Sequence, residues 1–327
     1  MTVRCAAGRP VRAALAAGAS LALLASLLAP VPALSAGPAA KAGDVRPSLP
    51  GKFVWFDLLT NNRAAATAFY SGLFGWEFED AMPDGSDAKY FIARIRGGDV
   101  AAVGSIPDGA PQLAMWNTYI WVDSADETAS IAREAGGAVL MEAFDVLDAG
   151  RMAVLADPDG AVFCAWQPKN HKGATIVNEH GSLNFNNLAT RDVEGAKAFY
   201  GAVFGWQTLT LPAGVFWTLP GYGDHLEERS PGLREQMKQM NAPDGFIDVV
   251  AVLNPIAGDD SATPPSWNVT FAIDDAVAAM STARELGGDV LAGPVEAPWT
   301  RFAVIKDPQG ATFIAAQFVP ENKDLEA

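Results

Sequence analysis

The chain carries one pattern twice, and that duplication limits what it can fold into more than any other feature. FYSGLFGW at 69–76 returns as FYGAVFGW at 199–206. WNTYIWVD at 116–123 returns as WNVTFAID at 267–274, and RMAVLADPDGAVF at 151–163 returns as RFAVIKDPQGATF at 301–313. The copies keep their order, which marks a tandem duplication rather than chance similarity. The first pair is offset by 130 residues (69 to 199) and the second by 151 (116 to 267), so about twenty extra residues lie between those motifs in the second copy. Wherever the copies differ in a chemical group, their chemistry has parted.

With 327 residues the chain is long enough for two domains, each with its own core. Residues 37–50, rich in Pro, Gly and Ala, read as a linker. Residues 51–168 form the first unit, 169–181 a polar connection and 182–319 the second unit. Residues 320–327 form a tail expected to fray. The first unit opens with a strand, FVWFDLL, whose alternation places Phe53, Trp55, Asp57 and Leu59 on one face. Next comes RAAATAFYSGLF, a helix with Thr60, Asn61 or Asn62 available as N-cap and Gly75 suited to its end. Ala65, Phe69 and Leu73 give this helix an apolar stripe. Strands are expected around YFIARI and VAAVGSI. The pattern then restarts with the strand NTYIWV and a helix opened by Ser124 and Glu127 at capping-box spacing. Gly136 and Gly137 end that helix. The last two strands, MAVLA and VFCAW, flank Asp157-Pro158-Asp159-Gly160, a tight-turn sequence. Each unit therefore reads as two βαβββ modules, an α+β fold. The second unit repeats the plan from LNFNNLA, with its extra segment within 212–265. LREQMKQM in that segment reads as a short helix, and the segment as a lid, an interface or a plain surface excursion.

The formal net charge is −15, and residues 1–36 carry three arginines and no acid, leaving −18 on the remainder. So acidic a body repels phosphate backbones, which argues against nucleic acid and anionic membranes as partners. Arg4, Arg9 and Arg12 precede an apolar run from Ala13 to Leu28, followed by Pro30, Pro32 and small residues at Ala33, Ser35 and Ala36. This reads as a signal peptide over residues 1–36, cleaved near Ser35 or Ala36, which places the protein outside the cell or in its envelope. An uncleaved membrane anchor is the alternative. Cys5 leaves with the signal, so Cys164 remains alone and no disulfide framework is available. The apolar VFCAW context favours a buried thiol over a reactive one.

The FYxxxFGW helix ends, the Val-Asp exit of the WN strand and the closing DPxG turn, each present twice, resemble the vicinal oxygen chelate (VOC) superfamily. That group includes glyoxalase I, bleomycin- and fosfomycin-resistance proteins and ring-cleaving dioxygenases. The resemblance implies two tandem VOC-type domains, each curling a mixed sheet into a cup with helices on the convex face and the ligand inside. In the family's enzymes a divalent metal sits in the cup. The positions that would hold it fall here on Trp55, Asn117 and Cys164, and in the second unit on Phe185, Asn268 and Ile314. Such a set cannot supply the several converging N, O or S donors a metal needs, so no metal and no other cofactor is expected. His171 and His180 fall in the connection and His225 in the extra segment, where they read as solvated loop residues.

Aromatic and neutral side chains take the place of ligands. The first cup is expected to present Trp55, Asp57, Asn117, Tyr119, Trp121, Cys164 and Trp166. The second is expected to present Phe185, Asn187, Asn268, Thr270, Thr312 and Ile314. Apolar walls with a few fixed polar groups suit a small, partly aromatic molecule. Asn117 and Asn268 either orient that molecule or close the strand pairing. Asp57 is the one candidate for catalysis, as a general base if burial raises its pKa; otherwise it is a solvent-facing or arginine-paired carboxylate. The leading expectation is an exported binding or sequestering protein that uses one or both cups without a metal. A glyoxalase-type metal-dependent lyase, isomerase or dioxygenase with a divergent site is the alternative, and a homo-oligomer stays open.

Overall fold

The duplication becomes two mixed eight-stranded sheets of identical topology in the computed structural model, which describes residues 49–107, 112–211, 214–258, 260 and 262–325. The proposed signal peptide therefore lies outside the described residues. The first sheet comprises β1 (Phe53–Thr60), β2 (Glu77–Asp80), β3 (Tyr90–Ile95), β4 (Gly98–Ser105), β5 (Met115–Trp121), β6 (Ala138–Val146), β7 (Gly150–Ala156) and β8 (Val162–Pro168). Its strands pair in the order β2-β3-β4-β1-β5-β8-β7-β6. The second comprises β9 (Leu183–Thr190), β10 (Gln207–Leu211), β11 (Gly214–Thr218), β12 (Val249–Pro255), β13 (Ser266–Ile273), β14 (Asp289–Ala297), β15 (Thr300–Lys306) and β16 (Thr312–Phe318). Their order is β10-β11-β12-β9-β13-β16-β15-β14. Within each module the first strand joins the last in parallel, β1 with β4 and β5 with β8, and the two modules meet antiparallel through β1 and β5.

Local chemistry sets the helices. In α1 (Arg63–Phe74) the Asn62 side chain accepts from the Ala65 N–H at 3.1 Å, and Gly75 ends the helix in the left-handed region at φ 70°. Ala66, Phe69, Tyr70, Leu73 and Phe74 form its buried stripe, with Ala65 at the margin. Ser124 caps α2 (Ala125–Glu134) through the Glu127 N–H. Asp192 caps α3 (Val193–Phe204), and Asp275 caps α6 (Ala276–Glu285). No described helix is long and apolar enough to cross a membrane.

These helices lie on the convex faces, and the convex faces of the two sheets share their cores. One core joins Phe69, Tyr70 and Phe74 of α1 to Phe271, Phe313 and Ile305 of the second unit. The other joins Phe199 and Tyr200 of α3 to Phe163, Leu155 and Ile120 of the first. The repeated motifs clasp this junction reciprocally. Tyr70 donates to Asp307 at 3.1 Å and Tyr200 to Asp157 at 3.0 Å, so each FY tyrosine holds the DPxG aspartate of the other unit. The WN tryptophans donate to those tyrosines, Trp116 to Tyr70 at 3.1 Å and Trp267 to Tyr200 at 2.8 Å. The FGW tryptophans reach the carbonyl just before the other unit's first strand, Trp76 to Gly181 and Trp206 to Gly51. The FY tyrosines, the DPxG aspartates and the tryptophans of the FGW and WN motifs thus build the joint between the units.

Two local departures follow from register. A bulge between Phe53 and Trp55 breaks the alternation, so Phe53 does not share the cup face with Trp55 and Asp57. It packs on the convex side, 5.4 Å from the Trp206 ring and 5.1 Å from Trp267. The extra segment of the second unit, set within 212–265, narrows to the stretch between β11 and β12. The first unit turns there with Arg96 and Gly97 alone, whereas the second inserts residues 219–248. That insertion holds α4 (Tyr222–Arg229), α5 (Leu233–Gln239) and a single 3-10 turn at Phe246–Asp248.

Candidate functional site in the first cup

Register equates the two cups position by position. Trp55 pairs with Tyr119 and Tyr119 with Cys164; Phe185 pairs with Thr270 and Thr270 with Ile314. Asp57 lies opposite Asn117, as Asn187 lies opposite Asn268. The first cup therefore carries an acid, a phenol and a thiol where the second carries an amide, a hydroxyl and an alkyl group.

In the first cup everything converges on Asp57. Its carboxyl is 2 % exposed, so it is not the solvent-facing group that the sequence left open. One oxygen accepts from Tyr119 Oη at 2.7 Å and Tyr90 Oη at 3.1 Å; the other accepts from Asn117 Nδ2 at 2.9 Å. Trp55 Nε1 donates to Tyr90 Oη at 3.1 Å, extending the chain of hydrogen bonds. Among the described residues no lysine or arginine pairs with this carboxylate, which removes the arginine-paired reading. Burial raises its pKa, and the three hydrogen bonds oppose that rise. Burial and the neighbouring carboxylate together lift the Tyr90 and Tyr119 phenols well above the usual range, and raise the Cys164 thiol likewise. The site is thus one buried carboxyl ringed by phenols and a thiol that resist becoming anions.

Around this floor lie Trp121, Cys164 and Trp166, all buried, with the Tyr119 and Trp166 rings 6.1 Å apart edge to face. Above it the wall is open. Met141 pairs with Val154 and that with Cys164; Phe144 pairs with Met152 and that with Trp166, so both Met141 and Phe144 face the cup. They are 47 % and 38 % exposed, and Tyr90, Ile92, Asn117, Met152 and Val154 are half-buried beside them.

Residues 169–181 close the end of this cup where β1 begins. Ala174 N donates to Val54 O at 2.8 Å. Gly173 sits at φ 98°, and a Cβ there would lie 2.5 Å from Val54 O, so only glycine allows that approach. His171, expected to be a solvated loop residue, instead packs its ring 4.3 Å from Trp55 and 5.9 Å from Trp166. Trp166 Nε1 donates to its carbonyl at 3.0 Å, and burial lowers the imidazole pKa. His180 is the loop residue expected, a half-exposed partner of Asp274. His225 lies in α4 with its Nε2 buried and unpartnered, so it too departs from a solvated loop.

The second cup is filled by its own chain. Phe185, Phe216, Phe302, Ile314 and Ala316 pack in one cluster with Leu233 and Met237 of α5 and Phe246 of the 3-10 turn. Asn187 donates to Thr270 Oγ1 at 2.9 Å, so these buried polar groups satisfy each other beneath the plug. Asn268, half-buried, reaches only Ser266 of its own strand, at 3.4 Å. Thr312 lies exposed at the rim. The plug is stitched together by Glu227, which accepts from Gly232 N at 2.7 Å and Arg234 N at 2.8 Å, and by Asp248, which accepts from Gly223 N at 2.7 Å.

The donor chemistry does not fit a metal at the positions the fold would use. The Trp55 indole is a donor only, the Asn117 amide offers at most its carbonyl oxygen, and burial keeps the Cys164 thiol protonated. Phe185 and Ile314 offer nothing. Among the described residues no three His, Cys, Asp or Glu side chains gather as a metal-holding group. Tyr90 is the site residue that motif reasoning missed. It belongs to no repeated motif, yet alternation in YFIARI puts Tyr90 and Ile92 on one face.

A family model described as the Glyoxalase/Bleomycin resistance protein/Dioxygenase superfamily matches residues 52–165 and again residues 182–314. "Putative glyoxylase CFP32" of Mycobacterium bovis (strain ATCC BAA-935 / AF2122/97) is 37% identical over 278 residues, covering 82% of this chain and 95% of that protein. "Anthracycline biosynthesis protein DauV" of Streptomyces sp. (strain C5) is 34% identical over 280 residues, covering 81% and 92%. The crystal structure of the Mn(II)-bound glyoxalase from Novosphingobium aromaticivorans superposes with a TM-score of 0.51 at 14% identity, covering 82% of each chain. The 2,3-dioxygenase LapB from Pseudomonas sp. KL28 gives a TM-score of 0.51 at 12% identity, covering 83% of this chain and 93% of that one. Identities this low speak to the fold alone.

Proposed function

Because this chain belongs to the glyoxalase/bleomycin resistance protein/dioxygenase superfamily in both of its halves, we propose that its first cup binds a small, partly aromatic molecule without a metal ion. One observation carries this reading: Met141 and Phe144 expose apolar surface toward the first cup, above a buried polar floor, whereas the second cup is occupied by Leu233, Met237 and Phe246. Exposed apolar side chains beside a few fixed polar groups mark a ligand surface. The name of the streptomycete relative, which refers to anthracycline biosynthesis, agrees with a flat aromatic ligand. The name of the mycobacterial relative points to glyoxalase chemistry, which in its metal-dependent form needs donors that Trp55, Asn117 and Cys164 do not supply.

Calorimetric titration with 2-naphthalenemethanol tests the reading. Saturable binding at one site per chain, weakened by Met141→Ala and Phe144→Ala, is expected. No heat at millimolar ligand would overturn it, and stoichiometric zinc, nickel, manganese or iron in the purified protein would favour the enzyme. We also propose that residues 1–36 direct export; N-terminal sequencing of protein from culture supernatant should begin near Ser35 or Ala36.

A further inference from the structure

We propose that the first cup selects an aromatic ligand bearing a protonated amine, with Asp57 as its counter-ion and the Trp55, Tyr90 and Tyr119 rings around the ammonium. This rests on the reading of the first cup as a binding site and adds the charge of what it binds.

Three features of the site support the proposal. First, Asp57 is a buried acid with no cationic partner among the described residues; all three of its hydrogen-bond donors are neutral. Buried carboxylates are ordinarily paired with a cation, so the missing partner is a group the ligand can bring. Second, the donors are aromatic. Tyr90 and Tyr119 reach the carboxyl directly and Trp55 reaches it through Tyr90, so three electron-rich rings border one acid. A carboxylate in the company of several aromatic rings is chemistry suited to organic ammonium groups. Third, one oxygen of the carboxyl is held by a single side-chain amide. Asn117 is half-buried and covers the Asp57 oxygen that neither tyrosine touches. Rotating that amide would open the oxygen to a ligand lying along Tyr90, Met141 and Phe144. The second cup keeps the half-buried amide, as Asn268, but not the acid or the phenols. Asn187 replaces Asp57 and Thr270 replaces Tyr119, and Gly214 takes the place of Tyr90, two residues before the Ile92 equivalent Phe216. The acidity of the body, −18 beyond residue 36, would draw a cation toward either face.

The charge sign makes a linked prediction. An ammonium stabilises the ionised carboxyl, while burial stabilises the neutral one. Binding a cation below the raised pKa of Asp57 must therefore expel its proton, and affinity must climb as pH rises through that value. The titratable groups facing Asp57 are Tyr90 on β3, Tyr119 on β5 and Cys164 on β8, all shifted upward. His171, edge-on to Trp55, is shifted downward.

The experiment compares 2-naphthylmethylammonium, 2-naphthalenemethanol and 2-naphthoate by calorimetry on the full chain, in two buffers of unequal ionisation enthalpy. The ammonium should bind about tenfold tighter than the alcohol, the size of one charge-assisted hydrogen bond, and the carboxylate weakest. Below the raised pKa of Asp57, proton release should accompany the ammonium only. Asp57→Asn should bring ammonium and alcohol within about twofold of each other, since the charge-assisted bond is gone. Equal affinities of ammonium and alcohol in the wild-type protein would overturn the charge assignment while leaving the binding site intact. If none of the three binds, the site itself falls and this assignment with it. Should Asp57→Asn not fold, the wild-type pH series and the ammonium-to-alcohol ratio decide the matter alone.

Discussion

The two cups began as one, and they now differ in what fills them. Both are built on the same strand order, with the same register across the central pair. The first keeps a buried acid, two phenols and a thiol on its floor and leaves Met141 and Phe144 exposed. In the second, Ala292 and Val295 replace Met141 and Phe144, the floor is apolar apart from a self-satisfied amide and hydroxyl, and residues 219–248 lie over it. A duplicated domain can relinquish a pocket in two moves: remove the groups that would need a partner, then supply apolar bulk from its own chain. The second cup has done both.

The comparison breaks hardest at the plug. Phe246→Ala should cost about 3–5 kcal/mol and Leu233→Ala about 2–5 kcal/mol in urea unfolding, as truncations in a well-packed core do. A cost under about 0.5 kcal/mol, the range of a surface site, would show that the segment lies over the cup without filling it. Tyr70→Phe and Tyr200→Phe probe the convex side, where the halves should match. Each removes a donor to a buried carboxylate of the other unit and should cost about 1–3 kcal/mol. Costs differing by more than about 1 kcal/mol between the two would show that the joint is not shared evenly.

The floor of the first cup is read by pH. Burial raises the folded pKa of Asp57 above its ordinary value near 4. Its contribution is therefore fully favourable below about pH 4 and is lost as pH rises through the raised value. Unfolding free energies of wild type and Asp57→Asn should accordingly diverge as pH rises above about 4, the wild type losing ground. Convergence over that range would mean the carboxyl is not held neutral by burial. The rim gives the smallest effect. Met141→Ser should change stability by no more than about 0.5 kcal/mol, since the side chain is half-exposed, yet should weaken binding of 2-naphthalenemethanol. An unchanged Kd would place the ligand elsewhere.

Much of the scaffold could be read before any coordinates, because it rests on local rules. Asn62 and Ser124 cap their helices, Gly75 turns left-handed, and Asp157 and Asp307 each accept from backbone N–H groups inside their turns. Period-two alternation carried Trp55, Asp57, Asn117 and Tyr119 to one face. It failed at Phe53, where one bulged residue reverses the side, a break that no spacing rule announces. Tyr90 went unmarked since motif matching attends to repeats, and its counterpart is a glycine. His171 was misread as solvated because a polar connecting stretch gives no sign that it folds back on a tryptophan. Length comparison located the extra segment, but only tertiary packing shows that its apolar side chains lie inside a cup.

The reciprocal clasps of Tyr70 with Asp307 and Tyr200 with Asp157 have a consequence for how such a molecule could diversify. A lone unit would need an identical twin to cover its back, and any change at its front would appear in both twins at once. Fusing the twins into one polypeptide keeps the mutual grip and releases the fronts from identity. One is then free to specialise for a visitor while the other turns into ballast.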